Sequence, residues 1–346
     1  MSTRSAGGIS RSAALAGLAL MAIAATSASS ARAGDANRGA SHGRPAVLPV
    51  LDEAVTARTR AIYRRGLTLG NRPGVFAKVG DSNTSTGAFL SGVGCGRARL
   101  AGHRELEPTM RSFQRTTVPR GYLPFLGQPP VCRVSNSFTR IGFAAHPGWG
   151  VSSLLSAFAP VTVTKVGGRY VNGAHPGAGA RVISETPSGS CPPGADAALL
   201  CELHTLKPSV AFVMIGTNDV QSMAPSTFRS NLGHVIAATV QAGTIPVLST
   251  IPSLGPSLVA RVAAFNRVIA ALAVDRHLPL WDLWRGLAQP GMVNEGELSD
   301  HVHLSSSPRG AFDFGPDSVR YGTNLRNLQA LQILAAIRRR VAVAAP

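Results

Sequence analysis

Lysine, acidic residues and aromatic residues are all scarce in this chain of 346 residues. Lys78, Lys165 and Lys207 are the only lysines, and 34 Lys+Arg stand against 17 Asp+Glu, so arginine carries nearly all of the +17 formal charge. Such a charge is compatible with an acidic partner, but a general bias toward arginine in the composition is the preferred interpretation. Aromatic residues make up 5% and do not alternate with basic clusters, so we expect no nucleic-acid partner.

Several motifs of known chemistry are absent as well. The chain has no C-x-x-C spacing of the kind that holds zinc, and neither G-x-S-x-G nor H-E-x-x-H occurs. A zinc site, an α/β-hydrolase elbow and a zincin are therefore unsupported, and we expect no metal. With 45% hydrophobic and 15% charged residues, the composition is that of a globular protein, and the length allows one large domain or two ordinary ones.

The N-terminus has the pattern of an export signal. Arg4 and Arg11 precede a short apolar stretch from Ala13 to Ala25, and Ala31-Arg32-Ala33 supplies the small residues that a signal peptidase cuts. The pattern predicts a signal peptide over residues 1–33, cleaved near Ala33; a buried N-terminal helix is the alternative. No later window holds the 18 or more apolar residues of a membrane helix. We therefore expect a secreted protein, extracellular or periplasmic, without an integral membrane segment.

Export to an oxidising compartment changes the interpretation of the four cysteines, Cys95, Cys132, Cys191 and Cys201. An even number of cysteines in such a compartment predicts disulfides. Four cysteines allow three pairings, and the sequence alone does not decide between them. We prefer nearest-neighbour pairing, Cys95–Cys132 and Cys191–Cys201, because each pair would close one Gly/Pro-rich insertion.

Apolar periodicity predicts alternating strands and helices. The apolar positions from Leu258 to Leu272 recur every three or four residues, as on one face of a helix, and leucines from Leu325 to Leu334 mark a closing helix. This alternation predicts an α/β domain with a parallel sheet covered on both faces. The predicted strands are residues 75–79, 138–145, 210–215, 245–251 and 278–283.

The predicted domain spans residues 71–346. An arginine-rich lead-in precedes it over residues 34–70, with a helix expected around Glu53 to Arg65. Two long Gly/Pro-rich insertions, residues 84–137 and 160–208, interrupt the strand–helix pattern. Because loops of this length are commonly functional, we expect both insertions to rim the ligand-binding crevice.

Four short motifs follow predicted strands or lie in a late loop. They are Gly80-Asp81-Ser82, Gly148-Trp149-Gly150, Gly216-Thr217-Asn218-Asp219 and Asp300-His301-Val302-His303. In an open parallel sheet, ligands bind beyond the carboxyl ends of the strands. The first three motifs would therefore meet at one edge of the sheet.

Together these motifs contain the groups that acyl transfer requires. Ser82 is the candidate nucleophile, and a hydroxyl nucleophile needs a base, for which His303 is the candidate. Asp300, three residues earlier, can orient the imidazole of His303. The backbone N–H groups of Ser82 and Gly148 and the side-chain amide of Asn218 can form an oxyanion hole.

Three nearby residues compete for these roles. His301 could replace His303 as base, although it directly follows Asp300 and neighbouring side chains in an extended loop diverge. Gly150 competes with Gly148 as oxyanion donor, and the distance in sequence to the following leucines favours Gly148. Asp282 is interpreted as a structural carboxylate at a strand end.

The order of the four motifs resembles the SGNH, or GDSL-type, hydrolase superfamily of serine esterases and lipases, over residues 75 to about 340. The resemblance implies a flavodoxin-like, three-layer α/β/α sandwich that uses no cofactor. It also implies that Ser82, Asp300 and His303 form a catalytic triad, with Gly148 and Asn218 completing the oxyanion hole. The chain departs from the common pattern at Asn83, where Leu or Ile often follows the serine, and in its two insertions.

The favoured interpretation is a secreted serine esterase. A catalytically silent binding or cell-surface module of the same fold, and a binder of anionic polymers, are the alternatives. We expect a small-molecule or polysaccharide ester as substrate, with a short acyl group on a polar carrier, because neither insertion contains an obvious apolar trough and both contain arginine. The oligomeric state stays open.

Overall fold

A computed structural model describes residues 51–121, 132–156, 162–166, 169–172, 181–184, 191 and 196–342. The predicted signal peptide and the first part of the lead-in, up to residue 50, lie outside the described residues. In chain order the strands are β1 (Arg72–Gly80), β2 (Thr162–Val166), β3 (Arg169–Asn172), β4 (Arg181–Ser184), β5 (Pro208–Met214), β6 (Ile245–Ser249) and β7 (Leu280–Trp281).

Helices connect and cover these strands. In chain order the α-helices are α1 (Glu53–Thr68), α2 (Ser82–Ser85), α3 (Ser91–Gly94), α4 (Glu107–Gln114), α5 (Val151–Leu155), α6 (Ala198–Leu206), α7 (Pro225–Gln241), α8 (Val259–Asp275), α9 (Leu283–Leu287) and α10 (Gly322–Ile337). The helix expected in the lead-in is therefore present as α1, and Asp52 caps it by accepting a hydrogen bond from the N–H of Val55.

The central sheet is parallel, with strand order β1-β5-β6-β7. Every residue of β5 is buried, as its continuous apolar sequence predicts for a strand covered on both faces. Four of the five predicted strands are thus confirmed, and the last two end earlier than predicted, at Ser249 and Trp281. Edge-to-face contacts of Phe212 with Phe76 and Trp281 join three of these strands in the core.

The predicted strand over residues 138–145 is wrong. This segment forms turns and meets the sheet only at one parallel bridge between Gly80 and Ala145. The side chain of Asn136 accepts hydrogen bonds from the N–H groups of Phe138 and Thr139, so a local turn replaces the start of the strand. The segment still lies beside β1, where a flavodoxin-like sheet has its second strand.

Two groups of helices flank the sheet and complete the α/β/α arrangement. Helices α6, α7 and α8 contact one another in succession, whereas α10 contacts α4, and the turn after α10 contacts α1. The predicted helices α8 and α10 are both confirmed. Residues Pro256–Asp275 are long and apolar enough to cross a membrane by length and composition. Within this segment Val262, Phe265 and Ile269 belong to the buried core, as in core helices of other globular domains.

The two insertions contain regular structure that the sequence does not predict. The first includes α3 and α4, and α4 packs on β1. The second includes a small antiparallel sheet of order β3-β2-β4 and helix α6. Both preferred disulfides are confirmed, with Cα atoms 5.8 Å apart in Cys95–Cys132 and 5.0 Å apart in Cys191–Cys201.

Candidate active site

Ser82 lies at the carboxyl end of β1, on a tight buried turn that we call the serine turn (residues 80–85). Strand β1 ends at Gly80, and a side chain at this position would collide with the carbonyl oxygen of Met214 and the hydroxyl of Thr84. Asp81 then caps the short helix α2, because its carboxylate accepts a hydrogen bond of 3.0 Å from the N–H of Asn83. Ser82 is the first residue of this helix.

His303 and Asp300 lie on the histidine loop (residues 297–304). The loop closes on itself through a hydrogen bond of 2.8 Å from the N–H of Leu298 to the carbonyl of His303. Glu297, at its base, is buried and accepts hydrogen bonds from the backbone and hydroxyl of Ser253 at 2.8 and 2.9 Å. The loop is thereby attached to the segment that follows β6.

The structure brings Ser82, His303 and Asp300 into one hydrogen-bonded chain. The Nδ1 atom of His303 lies 2.7 Å from Oδ2 of Asp300, and its Nε2 atom lies 3.0 Å from Oγ of Ser82. An ionised carboxylate only accepts hydrogen bonds, so Nδ1 carries the proton that faces Asp300. Nε2 of the neutral ring is then an acceptor that can take the proton of the Ser82 hydroxyl.

Asp300 is held in its ionised form. Burial by itself would raise the pKa of this carboxyl, but hydrogen bonds from the backbone and ring of His303 and from the N–H of Val302 lower its pKa to about 2. The two backbone bonds, 3.0 and 2.9 Å long, go to Oδ1, which leaves Oδ2 for the ring. At neutral pH the carboxylate therefore orients the imidazole and favours its positive charge.

Gly148 and Asn218 line the same cleft as Ser82 and His303. Gly148 has φ +77, a conformation that glycine adopts readily. The side-chain amide of Asn218 donates one hydrogen bond to the carbonyl of Trp149 at 2.9 Å, and the amide has a second N–H. Ser82 and Gly148 donate no backbone hydrogen bond to any described residue. Among the described residues, these N–H groups and the second N–H of Asn218 have no hydrogen-bond acceptor.

Gly150 has a different local reason to be glycine. A side chain at this position would collide with the carboxylate of Asp219, which accepts hydrogen bonds of 3.1 and 2.9 Å from the N–H of Val151. Asn218 and Asp219 therefore hold the Gly148-Trp149-Gly150 segment at two successive points. Gly148 borders the cleft with Ser82, whereas Gly150 contacts Asp219.

Two further residues that the sequence suggested, His301 and Asp282, do not belong to the hydrogen-bonded group of Ser82, His303 and Asp300. His301 is exposed, with φ 54, and the ring that contacts Ser82 is that of His303. Asp282 caps α9 and also accepts a hydrogen bond of 3.2 Å from the hydroxyl of Thr250. This geometry agrees with a structural carboxylate at a strand end.

The cleft over Ser82 encloses about 650 Å³. The first insertion borders it through residues 85–89, but no described residue of the second insertion does. The arginine-bearing rim expected from the sequence is not found among the described lining residues, where Arg326 stands alone and is 2% exposed. Apart from Ser82, Asn83, Asn218 and His303, the other lining side chains are hydroxyl-bearing (Ser85, Thr86, Ser306, Thr323) or apolar (Ala88, Phe89, Pro147, Leu298, Val302, Leu304).

Sequence reasoning missed two buried cationic residues near Ser82, of which Arg326 holds the serine turn. Arg326, on α10, donates hydrogen bonds to the carbonyl of Asn83 and, at 3.1 Å, to the hydroxyl of Thr84. Its guanidinium carbon lies 3.7 Å from the centre of the Phe89 ring. Lys78 is also buried and donates to the carbonyl oxygens of Phe89 and Phe138, both at 2.7 Å. A charged residue within an apolar strand is the signal that could have identified Lys78, whereas the helix of Arg326 also carries asparagines and glutamines and gives no such signal.

Among the described residues, no group of three or more His, Cys, Asp or Glu side chains could hold a metal ion. A model of the GDSL-like lipase/acylhydrolase family matches residues 136–307. The matched range contains Gly148, Asn218, Asp300 and His303 and begins after Ser82. No curated protein matches this chain.

Three solved structures are similar to the chain. A mutant acetyl esterase with an acetate ion is 14% identical, with a TM-score of 0.46 over 78% of this chain and 99% of that one. A carbohydrate esterase family 3 protein from Talaromyces cellulolyticus is 14% identical, with a TM-score of 0.45 over the same shares. The psychrotrophic esterase EstA from Pseudoalteromonas sp. is 11% identical, with a TM-score of 0.38 over 77% and 99%. Because these TM-scores lie below 0.5, the family match and the order of the sheet decide the assignment. The chain belongs to the GDSL-like lipase/acylhydrolase family and is an ester-hydrolysing serine hydrolase.

Proposed function

We propose that this enzyme cleaves carboxylic esters through a Ser82–His303–Asp300 triad and an acyl-enzyme intermediate. The observation that carries this proposal is the continuous hydrogen-bonded chain from Asp300 through His303 to Ser82, with contacts of 2.7 and 3.0 Å. A serine hydroxyl becomes an effective nucleophile only with such a base, and the base is effective only when its second nitrogen is held.

In the first step, Oγ of Ser82 attacks the ester carbonyl carbon while its proton passes to Nε2 of His303. The carbonyl oxygen becomes an oxyanion that the N–H groups of Ser82 and Gly148 and the amide of Asn218 can stabilise. When the tetrahedral intermediate collapses, the bond to the alcohol breaks and His303 returns the proton to the leaving oxygen. The acyl group remains on Ser82.

In the second step, water takes the place of the alcohol. His303 accepts a proton from the attacking water, and the same donors stabilise the second oxyanion. Collapse of this intermediate breaks the acyl bond to Ser82, releases the carboxylic acid and restores the serine hydroxyl.

A fluorophosphonate probe tests the nucleophile directly, because it labels an activated serine covalently. We expect labelling of the wild-type protein and none of Ser82→Ala. Ser112→Ala is the matched control: Ser112, on α4, lies beside Gly74, near the opposite end of β1 from Ser82, and this variant should be labelled like the wild type. A folded wild-type protein that resists the probe would favour the silent binding module instead.

We further propose that the substrate carries a short acyl group on a polar alcohol such as a carbohydrate. The described lining of the cleft includes the hydroxyl-bearing side chains Ser85, Thr86, Ser306 and Thr323, which can bind a polar alcohol, and this supports the choice. A long acyl chain would require a continuous apolar trough that gains about 0.8 kcal/mol for each buried CH₂. The described arginines do not support an anionic carrier.

Esters of one leaving group with increasing acyl length test this substrate class. With p-nitrophenyl esters, kcat/KM should fall steadily from acetyl to octanoyl, since the apolar side chains of the lining are mixed with hydroxyl-bearing ones. Acetylated polysaccharides then test the carrier. If kcat/KM rises toward long chains, the short-acyl proposal is wrong, whereas the triad proposal is unaffected.

We also propose that the protein is exported before it acts. Its two disulfides support an oxidising compartment, because such bonds are rare where cytosolic thiols are kept reduced.

A further inference from the structure

Asn83 directly follows Ser82 in the serine turn, and its side chain reaches across to the histidine loop. Its amide nitrogen Nδ2 donates to the carbonyl of Val302 at 2.8 Å, and its oxygen Oδ1 accepts from the N–H of Leu304 at 3.2 Å. Val302 and Leu304 are the two chain neighbours of His303. One buried side chain therefore binds the histidine loop on both sides of the candidate base.

Few other hydrogen bonds join the serine turn to the histidine loop. Within the described residues, the other hydrogen bond that joins the serine turn to the histidine loop is the contact between Ser82 and His303 itself. That contact lengthens or breaks during each proton transfer. The Asn83 bonds do not take part in the reaction, so they can hold the two segments at a constant distance throughout the cycle.

The bonds of Asp300 serve a different purpose, because they stay within the histidine loop. Asp300 binds the ring and the backbone of His303 and the backbone of Val302, all within three residues of itself. They orient the imidazole with respect to its own loop. They do not determine how far the loop lies from Ser82.

The backbone of Asn83 is held as firmly as its side chain. Its N–H donates to the carboxylate of Asp81, and its carbonyl accepts a hydrogen bond from the buried guanidinium of Arg326. The donor and acceptor groups of Asn83 on both backbone and side chain thus have partners on three different segments. A shift of the histidine loop would strain this whole set of bonds.

We propose that Asn83 is a positioning residue for ester hydrolysis that sets the approach of Nε2 of His303 to Oγ of Ser82. The inference rests on the proposed function of Ser82 and His303. Leu and Ile, the residues that often follow the serine in the superfamily, can make neither of the two side-chain bonds. In this chain Asn83 therefore supplies a link that those residues do not.

The inference predicts a specific kinetic change. Misplacement of a catalytic group by about 1 Å costs on the order of 10²-fold in rate. We expect Asn83→Leu, which is similar in size, to lower kcat by about 10- to 100-fold, with KM changed by no more than about threefold. The rate of fluorophosphonate labelling should fall by the same factor as kcat, because both need Ser82 activated by His303.

Asn71→Leu is the matched control. Asn71 is also buried, and its amide also donates to a backbone carbonyl, that of Ala242 at 2.8 Å, but it precedes the start of β1. Both variants should lose thermal stability, and Asn71→Leu should keep wild-type kcat per folded molecule. Asn83→Asp is a second variant of unchanged size, in case the leucine variant does not fold. Its carboxylate keeps the acceptor for Leu304 and loses the donor to Val302 when ionised, so we expect a drop in kcat in the same direction.

Other results would overturn the inference. If the Asn83 variants unfold at lower temperature but retain kcat and the labelling rate, the residue is only structural. An equal loss of kcat in Asn71→Leu would likewise assign the effect to general destabilisation. Both outcomes leave the proposed function standing, provided that the wild type is labelled at Ser82. A wild type without labelling or esterase activity would overturn the proposed function and this inference together.

Discussion

The serine turn and the histidine loop each carry a carboxylate close to the candidate base, but the two carboxylates have opposite properties. Asp81, in the serine turn, is fully buried, and burial raises the pKa of its carboxyl. Asp300, in the histidine loop, is 48% exposed, and hydrogen bonds lower its pKa to about 2. The comparison shows that a carboxylate need not be buried to contact the candidate base, because the ring of His303 binds Asp300, the more exposed of the two.

The two segments are also stabilised in different ways. The serine turn is held from outside, by Arg326 on α10 and by the end of β1. The histidine loop is held by hydrogen bonds between its own residues, by those of Glu297 with Ser253, and by the side chain of Asn83. We therefore expect substitutions in the histidine loop to change activity more than stability, and substitutions behind the serine turn to do the reverse.

The largest expected effect is that of Asp300→Asn on activity. Because two backbone N–H groups bind Oδ1, the asparagine would turn its NH₂ group toward Nδ1 of His303 and favour the wrong tautomer of the ring. We therefore expect kcat to fall by about 10⁴-fold, as in the serine protease template. Thermal stability should change little, because the side chain is half exposed. The measurement is kcat on a short-chain ester beside a melting curve.

Asp282→Asn is the control for this prediction. Asp282 also accepts a hydrogen bond from the N–H three residues later, that of Arg285, but it caps α9. Its kcat should stay within about twofold of the wild type. A fall of less than tenfold in Asp300→Asn would indicate that Ser82 and His303 work as a dyad with backbone support.

The second prediction concerns stability. Arg326→Met removes the two hydrogen bonds from the guanidinium to the serine turn and its contact with the Phe89 ring. Because these bonds are buried and charge-assisted, we expect the free energy of unfolding to fall by about 3 kcal/mol in urea titration. Arg285→Met, an exposed arginine 3.8 Å from Asp282, should lower it by less than about 0.5 kcal/mol. Equal losses in the two variants would contradict the view that Arg326 holds the turn.

The third prediction concerns the pH dependence of stability. Burial, together with the nearby charge of Arg326, lowers the pKa of Lys78 to about 7. A lysine in the unfolded chain has a pKa of about 10.4, so between pH 7 and pH 10 the unfolded state binds more protons than the folded state. The contribution of Lys78 to the free energy of unfolding therefore rises with pH across this window.

Lys78→Met isolates this contribution. The difference in unfolding free energy between wild type and variant, measured by urea titration at several pH values, should move in favour of the wild type from pH 7 to pH 10. A difference that stays constant across that range would mean that Lys78 remains charged in its buried position.

Much of the fold could be predicted because the pattern of apolar residues within each strand or helix indicates that element. The continuous apolar sequence of β5 and the three- and four-residue spacing in α8 each reflect contacts within one element, and both were confirmed. The predicted strand over 138–145 failed for a local reason too, since the carboxamide of Asn136 binds the backbone and forms a turn. Apolar content alone does not report such a bond.

The sequence by itself determined the chemical groups of the site and their order along the chain. The strand ends and the resemblance in motif order were enough to name Ser82, Asp300, His303, Gly148 and Asn218 as candidates. Only the tertiary structure decided which groups meet: Asn83 contacts Val302 across 219 positions of sequence, and Arg326 contacts Asn83 across 243. The spacing of apolar residues along a helix or strand indicates which of its faces is buried, because that spacing involves only residues close together in the sequence. A hydrogen bond between two segments depends on where the whole fold places both, and no local pattern records that distance.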